Sequence, residues 1–239
     1  LLGLGGAAVS GSAYRYRVHR HTLRLKDLPG SFRGMRLVQI SDLHTGSLDD
    51  AEGVRRGIQM IQDLKPDIVV FTGDLVNTQT NEVGPWMEML KLIKAPMGVY
   101  SVLGNHDYGD YKSWPDEEAK ARNFEEMLQV HRDLGWQLLR NEAVQIKGEN
   151  GESLDLIGCE NWGRRSGFGK RYGNLTKAME GLSVKSFAGE VTMRTSDHQL
   201  QQPMFITKWQ KAKKGEYSVE NTGYTFVGVK QMDPYVSST

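Results

Sequence analysis

"GVYSVLGNHDYG", residues 98–109, joins two kinds of sequence. Its first half is apolar, with β-branched and aromatic side chains, the composition of a buried strand. Its second half puts an amide, an imidazole and a carboxylate on consecutive residues, Asn105, His106 and Asp107, between two glycines. A polar turn with a capping Asp explains one such cluster. The reading therefore depends on whether the pattern recurs.

It recurs twice upstream. "MRLVQI" (35–40) runs into "SDLHTG" (41–46), with Asp42 and His44, and "DIVVFT" (67–72) runs into "GDLVN" (73–77), with Asp74. The apolar runs begin at 35, 67 and 98, intervals of 32 and 31 residues. Between the first two, Val54, Ile58, Ile61 and Leu64 repeat with helical period, Asp49 or Asp50 can cap the start, and Pro66 marks the end. "PWMEMLKLIKA" (85–95) reads as a second, short helix. Strand–helix–strand at this spacing predicts βαβ units and a partly parallel sheet.

A longer helix is expected over 116–134, with Phe124, Met127, Leu128, His131 and Leu134 along one side. His131 is expected at the edge of that packing face and not in a metal site. "WQLLRN", "EAVQIKG" and "SLDLIGCEN" follow, with a polar turn between the last two, and predict antiparallel strands. The change from βαβ units to mixed strands implies a second sheet packed on the first.

Bulk composition sets limits on partners. The 239 residues suit one large α/β domain, and 30 basic against 29 acidic residues give a net charge of +1. That balance offers no general attraction to nucleic acid, and no specific nucleic-acid partner is expected. Cys159 is the sole cysteine, so no internal disulfide can form, and it reads as a small buried hydrophobe.

The N-terminal segment, 1–20, opens with the uncharged, apolar "LLGLGGAAVSGSAY", shorter than the roughly 20 residues that cross a bilayer. It runs directly into "RYRVHRHTLRLK". An apolar tail followed by a basic cluster reads as a membrane-anchor remnant, with the main domain over 21–239. A membrane-associated protein is expected. The flanking positive charge favours a cytoplasmic domain, whereas a cleaved export signal would reverse the side.

The three clusters carry the chemistry. In α/β sheets, sites form at the carboxyl ends of strands, where successive loops converge. Asp42 and His44 are alternate residues and can face one point. Carboxylate with imidazole suits Mn, Fe or Zn, whereas an all-oxygen set suits Mg or Ca. Asp74, on the central loop, is the natural bridge between two ions about 3.5–4 Å apart. Asn105 can bind the second ion through its carbonyl oxygen. His106 then stands beside the metals as general acid or charge stabiliser, with Asp107 as its orienting partner.

"SDLHTG", "GDLVN" and "GNHDYG" resemble the first three motifs of the calcineurin-like metallophosphoesterases, Asp-x-His, Gly-Asp and Gly-Asn-His-Asp/Glu. The flanks "LVQISDLH", "KPDIVVFTGDLVN" and "GVYSVLGNHDY" are similar to its membrane-associated bacterial branch, and the likeness covers 35 to about 182. The resemblance implies an α/β fold, a four-layer αββα sandwich of two mixed β-sheets, with a dimetal site between loops. It implies that Asp42 and His44 bind the first metal, Asp74 bridges, Asn105 binds the second, and His106 assists phosphoryl transfer.

The chain departs from that pattern late. It has no Gly-His-x-His, and after His131 its one histidine is His198, in "RTSDHQLQ". His198 is the candidate for the remaining ligand of the second metal. With fewer imidazoles, one ion is expected to bind firmly and the second weakly or not at all. The expected function is a metal-dependent phosphoester hydrolase using a metal-activated water on a membrane-associated or lipid-linked substrate. The alternative is a catalytically impaired relative acting as a metal-binding or scaffold module at a membrane. "GRRSGFGKRYGN" (163–174) lacks phosphate-loop spacing and reads as a solvated basic loop, or as an aid to holding an anionic head group.

Overall fold

The computed structural model describes residues 14–161, 172–186, 189–196, 200–201, 204–211 and 224–232. They fall into two compact units, Leu1–Ala178 and Met179–Thr239. The three apolar runs form strands β1 (Leu37–Ile40), β2 (Ile68–Phe71) and β3 (Val99–Ser101). They pair in parallel, in order, with Val69 opposite both Val38 and Val99.

Helix α1 (Ala51–Asp63) buries Val54 and Ile58, one turn apart on its inner face. It ends where Lys65 takes φ 48° just before Pro66. The segment read as a short helix over 85–95 starts earlier and ends sooner. It is a 3-10 helix over Thr80–Trp86 running into α2 (Met87–Leu90). Glu82 sets the early start by closing a capping box with Gln79. Helix α3 (Glu117–Leu134) has the expected bounds: the Asp116 carboxylate accepts the Ala119 N–H at 2.6 Å, and Gly135 turns the chain at φ 72°.

The sheet has an apolar layer on each face, because alternate residues of a strand point to opposite sides. Val69, Phe71 and Val99 pack with Val54, Ile58, Leu90, Met127 and Leu134 of the helices. Ile68 and Tyr100 pack on the other side with Phe32, Leu139 and Ile146, and Leu154 and Leu156 lie against that cluster. Ile146, Leu154 and Leu156 of this group come from an antiparallel hairpin, β5 (Glu142–Lys147) and β6 (Ser153–Gly158), closed by a turn at Glu149–Gly151. Helices, a parallel sheet and an antiparallel hairpin thus give the α/β architecture expected.

Two further expectations change. "WQLLRN" contributes β4 (Gln137–Leu138), which pairs in parallel with β3 and not with the hairpin. α3 is the cause: a crossover helix returns the chain so that the next strand runs the same way. His131 lies not at the edge of the packing face but at its centre, fully buried beside Phe71 and Trp136, with Nδ1 3.0 Å from Ser101 Oγ. Gly135 folds Trp136 back beside this last turn and closes it from water.

A short helix α4 (Leu175–Ala178) ends the first unit. In the second, β7 (Ser183–Ser186), β8 (Gly189–Met193) and β9 (Leu200–Gln201) form one antiparallel sheet. β10 (Met204–Lys211) and β11 (Tyr224–Met232) form an antiparallel ribbon. Among the described residues, no helix is long and apolar enough to cross a membrane.

Candidate metal centre

The parallel pairing of β1 with β2 continues past the strand ends. Thr72 N–H donates to Ile40 O, Asp42 N–H to Gly73 O, His44 N–H to Asp74 O and Thr45 N–H to Leu75 O, all at 2.9–3.0 Å. Along this seam Asp42, His44 and Asp74 take φ of 54°, 45° and 61°. Left-handed backbone is costly for residues other than glycine and persists where the surroundings impose it, as functional sites do. Here it lets the chain leave the extended path just where the ligand-bearing side chains begin.

The β3 loop meets the β2 loop glycine to glycine. A Cβ on Gly73 would lie 2.2 Å from Gly104 N, and one on Gly104 would lie 2.2 Å from Asp74 Oδ1. Only a hydrogen at both positions permits the approach. It brings His106 N–H to Asp74 Oδ1 at 2.9 Å. The other oxygen, Asp74 Oδ2, lies 3.9 Å from His44 Nε2, and Asp42 Oδ1 lies 4.0 Å from the same nitrogen.

The outcome is a convergence of groups from all three loops. Ligand atoms of His44, Asp74 and His106 lie within 4.8 Å of one another, and the two imidazoles meet edge to face with centroids 4.8 Å apart. Two atoms that each coordinate one ion at about 2.1 Å are at most about 4.2 Å apart. The His44–Asp74 and His44–Asp42 separations fall inside that limit. A mixed nitrogen and carboxylate donor set of this kind suits a divalent transition metal. A cleft of about 520 Å³ opens over this edge, lined by Asp42, Asp74, Asn105 and Thr72 on the parallel-sheet side and by Cys159 and Glu160 from the end of the hairpin. Cys159, expected as a small buried hydrophobe, is only partly buried and lines that cleft.

His106 is held by more than its backbone. Its Nδ1 lies 2.6 Å from Asn77 O, and Tyr111 stacks on its ring at 4.3 Å. A carbonyl can only accept, so Nδ1 carries the proton and Nε2 is the ring atom left for chemistry. The expectation that Asp107 orients this imidazole is not met. Asp107 is fully buried, and its carboxylate accepts four backbone N–H groups: Asp74 and Gly104 at Oδ2, both 2.9 Å, and Leu75 and Val76 at Oδ1, 2.8 and 3.3 Å. It clamps the second loop to the third. Burial pushes its carboxyl up to about 6, with Asp74's charge adding to the rise, against the downward pull of the Gly104, Leu75 and Val76 N–H groups.

Other groups that shape the site carry weak signals in sequence. Glu82 accepts the N–H groups of Asn77, Thr78 and Gln79 and so aims Asn77 O at His106. Asn141, with φ 57°, donates to Glu160 Oε2 at 2.5 Å and to Tyr172 O, and accepts from Asn174 N. Glu160 is buried and also takes Arg140 Nε at 3.1 Å. A lone "RNE" tripeptide gives no hint of this hub. His198 and the basic loop 163–171 lie outside the described residues.

Residues 35–173 match the family of calcineurin-like phosphoesterases, well over half the chain. The protein belongs to that family. All three motif loops and the hairpin of this calcineurin-like phosphoesterase lie within the matched span. Over 117 residues it is 32% identical to the metallophosphoesterase YkuE of Bacillus subtilis (strain 168), covering 44% of this chain and 41% of that one. It is 37% identical over 92 residues to a transmembrane protein with metallophosphoesterase domain from Danio rerio, 38% of this chain and 21% of the relative. It is 40% identical over 91 residues to the UDP-2,3-diacylglucosamine pyrophosphatase LpxG of Chlamydia trachomatis, 36% of this chain and 28% of the relative. The phosphoesterase spans less than half the length of each of these proteins.

Proposed function

We propose that this protein is a metal-dependent phosphoester hydrolase acting on a membrane-associated, lipid-linked phosphoester. The observation that carries the reading is the meeting of His44, Asp74 and His106 at one sheet edge. Asp42, His44 and Asp74 would hold a first ion, and Asp74 with Asn105 would serve a second. The ions are Mn, Fe or Zn by the donor set, the second bound more weakly for want of a Gly-His-x-His motif. Divalent ions in such a site supply a nucleophile from water and neutralise phosphoryl charge. His106, with Nδ1 committed to Asn77 O, keeps Nε2 free beside His44 and Asp74 and, when protonated, would give a proton to the departing oxygen.

Support for a lipid-linked substrate comes from the start of the chain. The Tyr14 hydroxyl accepts the N–H groups of Asp49 and Asp50 and donates to Asp49 Oδ1, at 2.8–3.0 Å. Tyr14 and Tyr16 lie against Gly53 and Gly57 of α1, where a Cβ would meet their rings at 2.5 and 2.9 Å. The exposed Arg15, Arg17 and Arg20 belong to this stretch, which Tyr14 anchors at the start of α1. Exposed cations on this stretch suit an anionic bilayer surface, and a domain held there meets lipid head groups at high local concentration. The LpxG relative, named as a UDP-2,3-diacylglucosamine pyrophosphatase, fits a nucleotide-linked lipid as substrate class.

The test is hydrolysis with added manganese of bis-p-nitrophenyl phosphate, p-nitrophenyl phosphate and a nucleotide-diphosphate lipid in anionic vesicles. Turnover highest on the lipid, with oxygen-18 from water entering the phosphoryl product, is the expected result. Activity on soluble nucleotides alone would end the lipid reading, and a trapped phosphoenzyme would end the water mechanism. The missing late histidines favour a second reading, a non-catalytic metal-binding module at a membrane. Manganese uptake lost in Asp74→Asn, without turnover on any of the three substrates, would select it.

A further inference from the structure

We propose that Tyr111 is a positioning residue of the phosphoesterase site, holding His106 and Asn105 in their working orientations at once. The proposal rests on the phosphoesterase reading. Two contacts from one side chain carry it. The Tyr111 ring stacks on the His106 imidazole with centroids 4.3 Å apart and planes 17° from parallel. Its hydroxyl accepts Asn105 Nδ2 at 2.9 Å.

Each contact removes a freedom that the backbone leaves open. An imidazole fixed only by Asn77 O at Nδ1 can still rock about that hydrogen bond. Tyr111 on its face and His44 at its edge, 4.8 Å away, stop the rocking and hold Nε2 on one line. A carboxamide presents either an acceptor or two donors, and only the oxygen can ligate a cation. With Nδ2 given to Tyr111, Oδ1 is the end of Asn105 left for the cleft that it lines with Asp42 and Asp74. Tyr111 itself is 42% exposed, too open for a core role to explain both contacts. Loss of a partner that orients a ligand costs roughly 10–100-fold in metal affinity or activity.

The two contacts separate by substitution. Tyr111→Phe keeps the stack and loses the hydroxyl, and Tyr111→Leu loses both. In solution NMR of the whole protein without metal, the Asn105 side-chain amide should exchange slowly in wild type and fast in both variants. In manganese titrations, Tyr111→Phe should weaken the weaker ion about tenfold. In an Asn105→Ala background it should add nothing. At saturating manganese, Tyr111→Phe should hold kcat on bis-p-nitrophenyl phosphate within a few-fold of wild type. Tyr111→Leu should lower kcat roughly 10–100-fold with KM little changed.

Unprotected Asn105 amide protons in wild type would overturn the proposal. So would a Tyr111→Phe effect that persists undiminished in Asn105→Ala, or equal kcat in Leu and Phe variants. A wild type that neither takes up manganese nor turns over would defeat the phosphoesterase reading instead, and the amide exchange would still decide the Tyr111 contact.

Discussion

Asp107 and Asp74 are locked backbone to side chain: Asp74 N–H donates to Asp107 Oδ2 at 2.9 Å, and that oxygen also takes Gly104 N–H at 2.9 Å. One buried oxygen therefore sets the separation of the two loops whose side chains meet at the candidate metal centre.

Asp107→Asn tests that relationship. The amide keeps the shape but has one acceptor end, so one pair of N–H groups must face an NH2. Leaving buried donors unmet costs about 1–3 kcal/mol each, so the variant should lose about 3 kcal/mol in urea denaturation. Metal affinity should fall with it. Full stability in this variant would show that the clamp is not needed.

His106→Ala should behave in the opposite way. The side chain is only partly buried, so stability should change little while turnover falls roughly 10²–10⁴-fold. Metal content after dialysis should stay close to wild type if His106 serves as acid. A matching drop in bound metal would make it a ligand.

Gly104→Ala should damage fold and site together. Its Cβ would sit 2.2 Å from Asp74 Oδ1 and 2.5 Å from Asp74 N, and backbone cannot yield as a flexible side chain does. A loss of about 2 kcal/mol or more is expected, with metal uptake strongly reduced. Gly84→Ala is the control: its Cβ would meet nothing within 4 Å, so stability should stay within about 0.5 kcal/mol.

His131 predicts an acid-sensitive stability apart from catalysis. Burial lowers its pKa from 6.5 to about 4, so the folded state favours the neutral ring. Above pH 6.5 the contribution is complete. As pH falls from 6.5 to 4 only the unfolded chain takes up the proton, and stability drops by about 3 kcal/mol from this residue. Denaturation of wild type and His131→Leu/Ser101→Ala across pH 7.5 to 4.5 should show a shallower pH slope in the variant. Equal slopes would remove His131 as the cause.

The three apolar runs, the helix period of Val54 and Ile58, and the polar clusters after each strand were readable in the chain. Each depends on spacing within a few residues, and strand alternation, helix period and turn chemistry are local properties. From them came the parallel β1–β2–β3 order and the convergence of Asp42, His44, Asp74 and His106. Tertiary packing decided what depends on distant partners. β4 joined the parallel sheet because α3 turned the chain round, and His131 became central because Trp136 closed over it. Asp107, read as an aid to His106, became a loop clamp because the N–H groups of residues 74–76 arrive from another loop. Tyr111 found its place for the same reason: a ring meets a ring, and a hydroxyl meets an amide, only after the chain has folded the intervening turn.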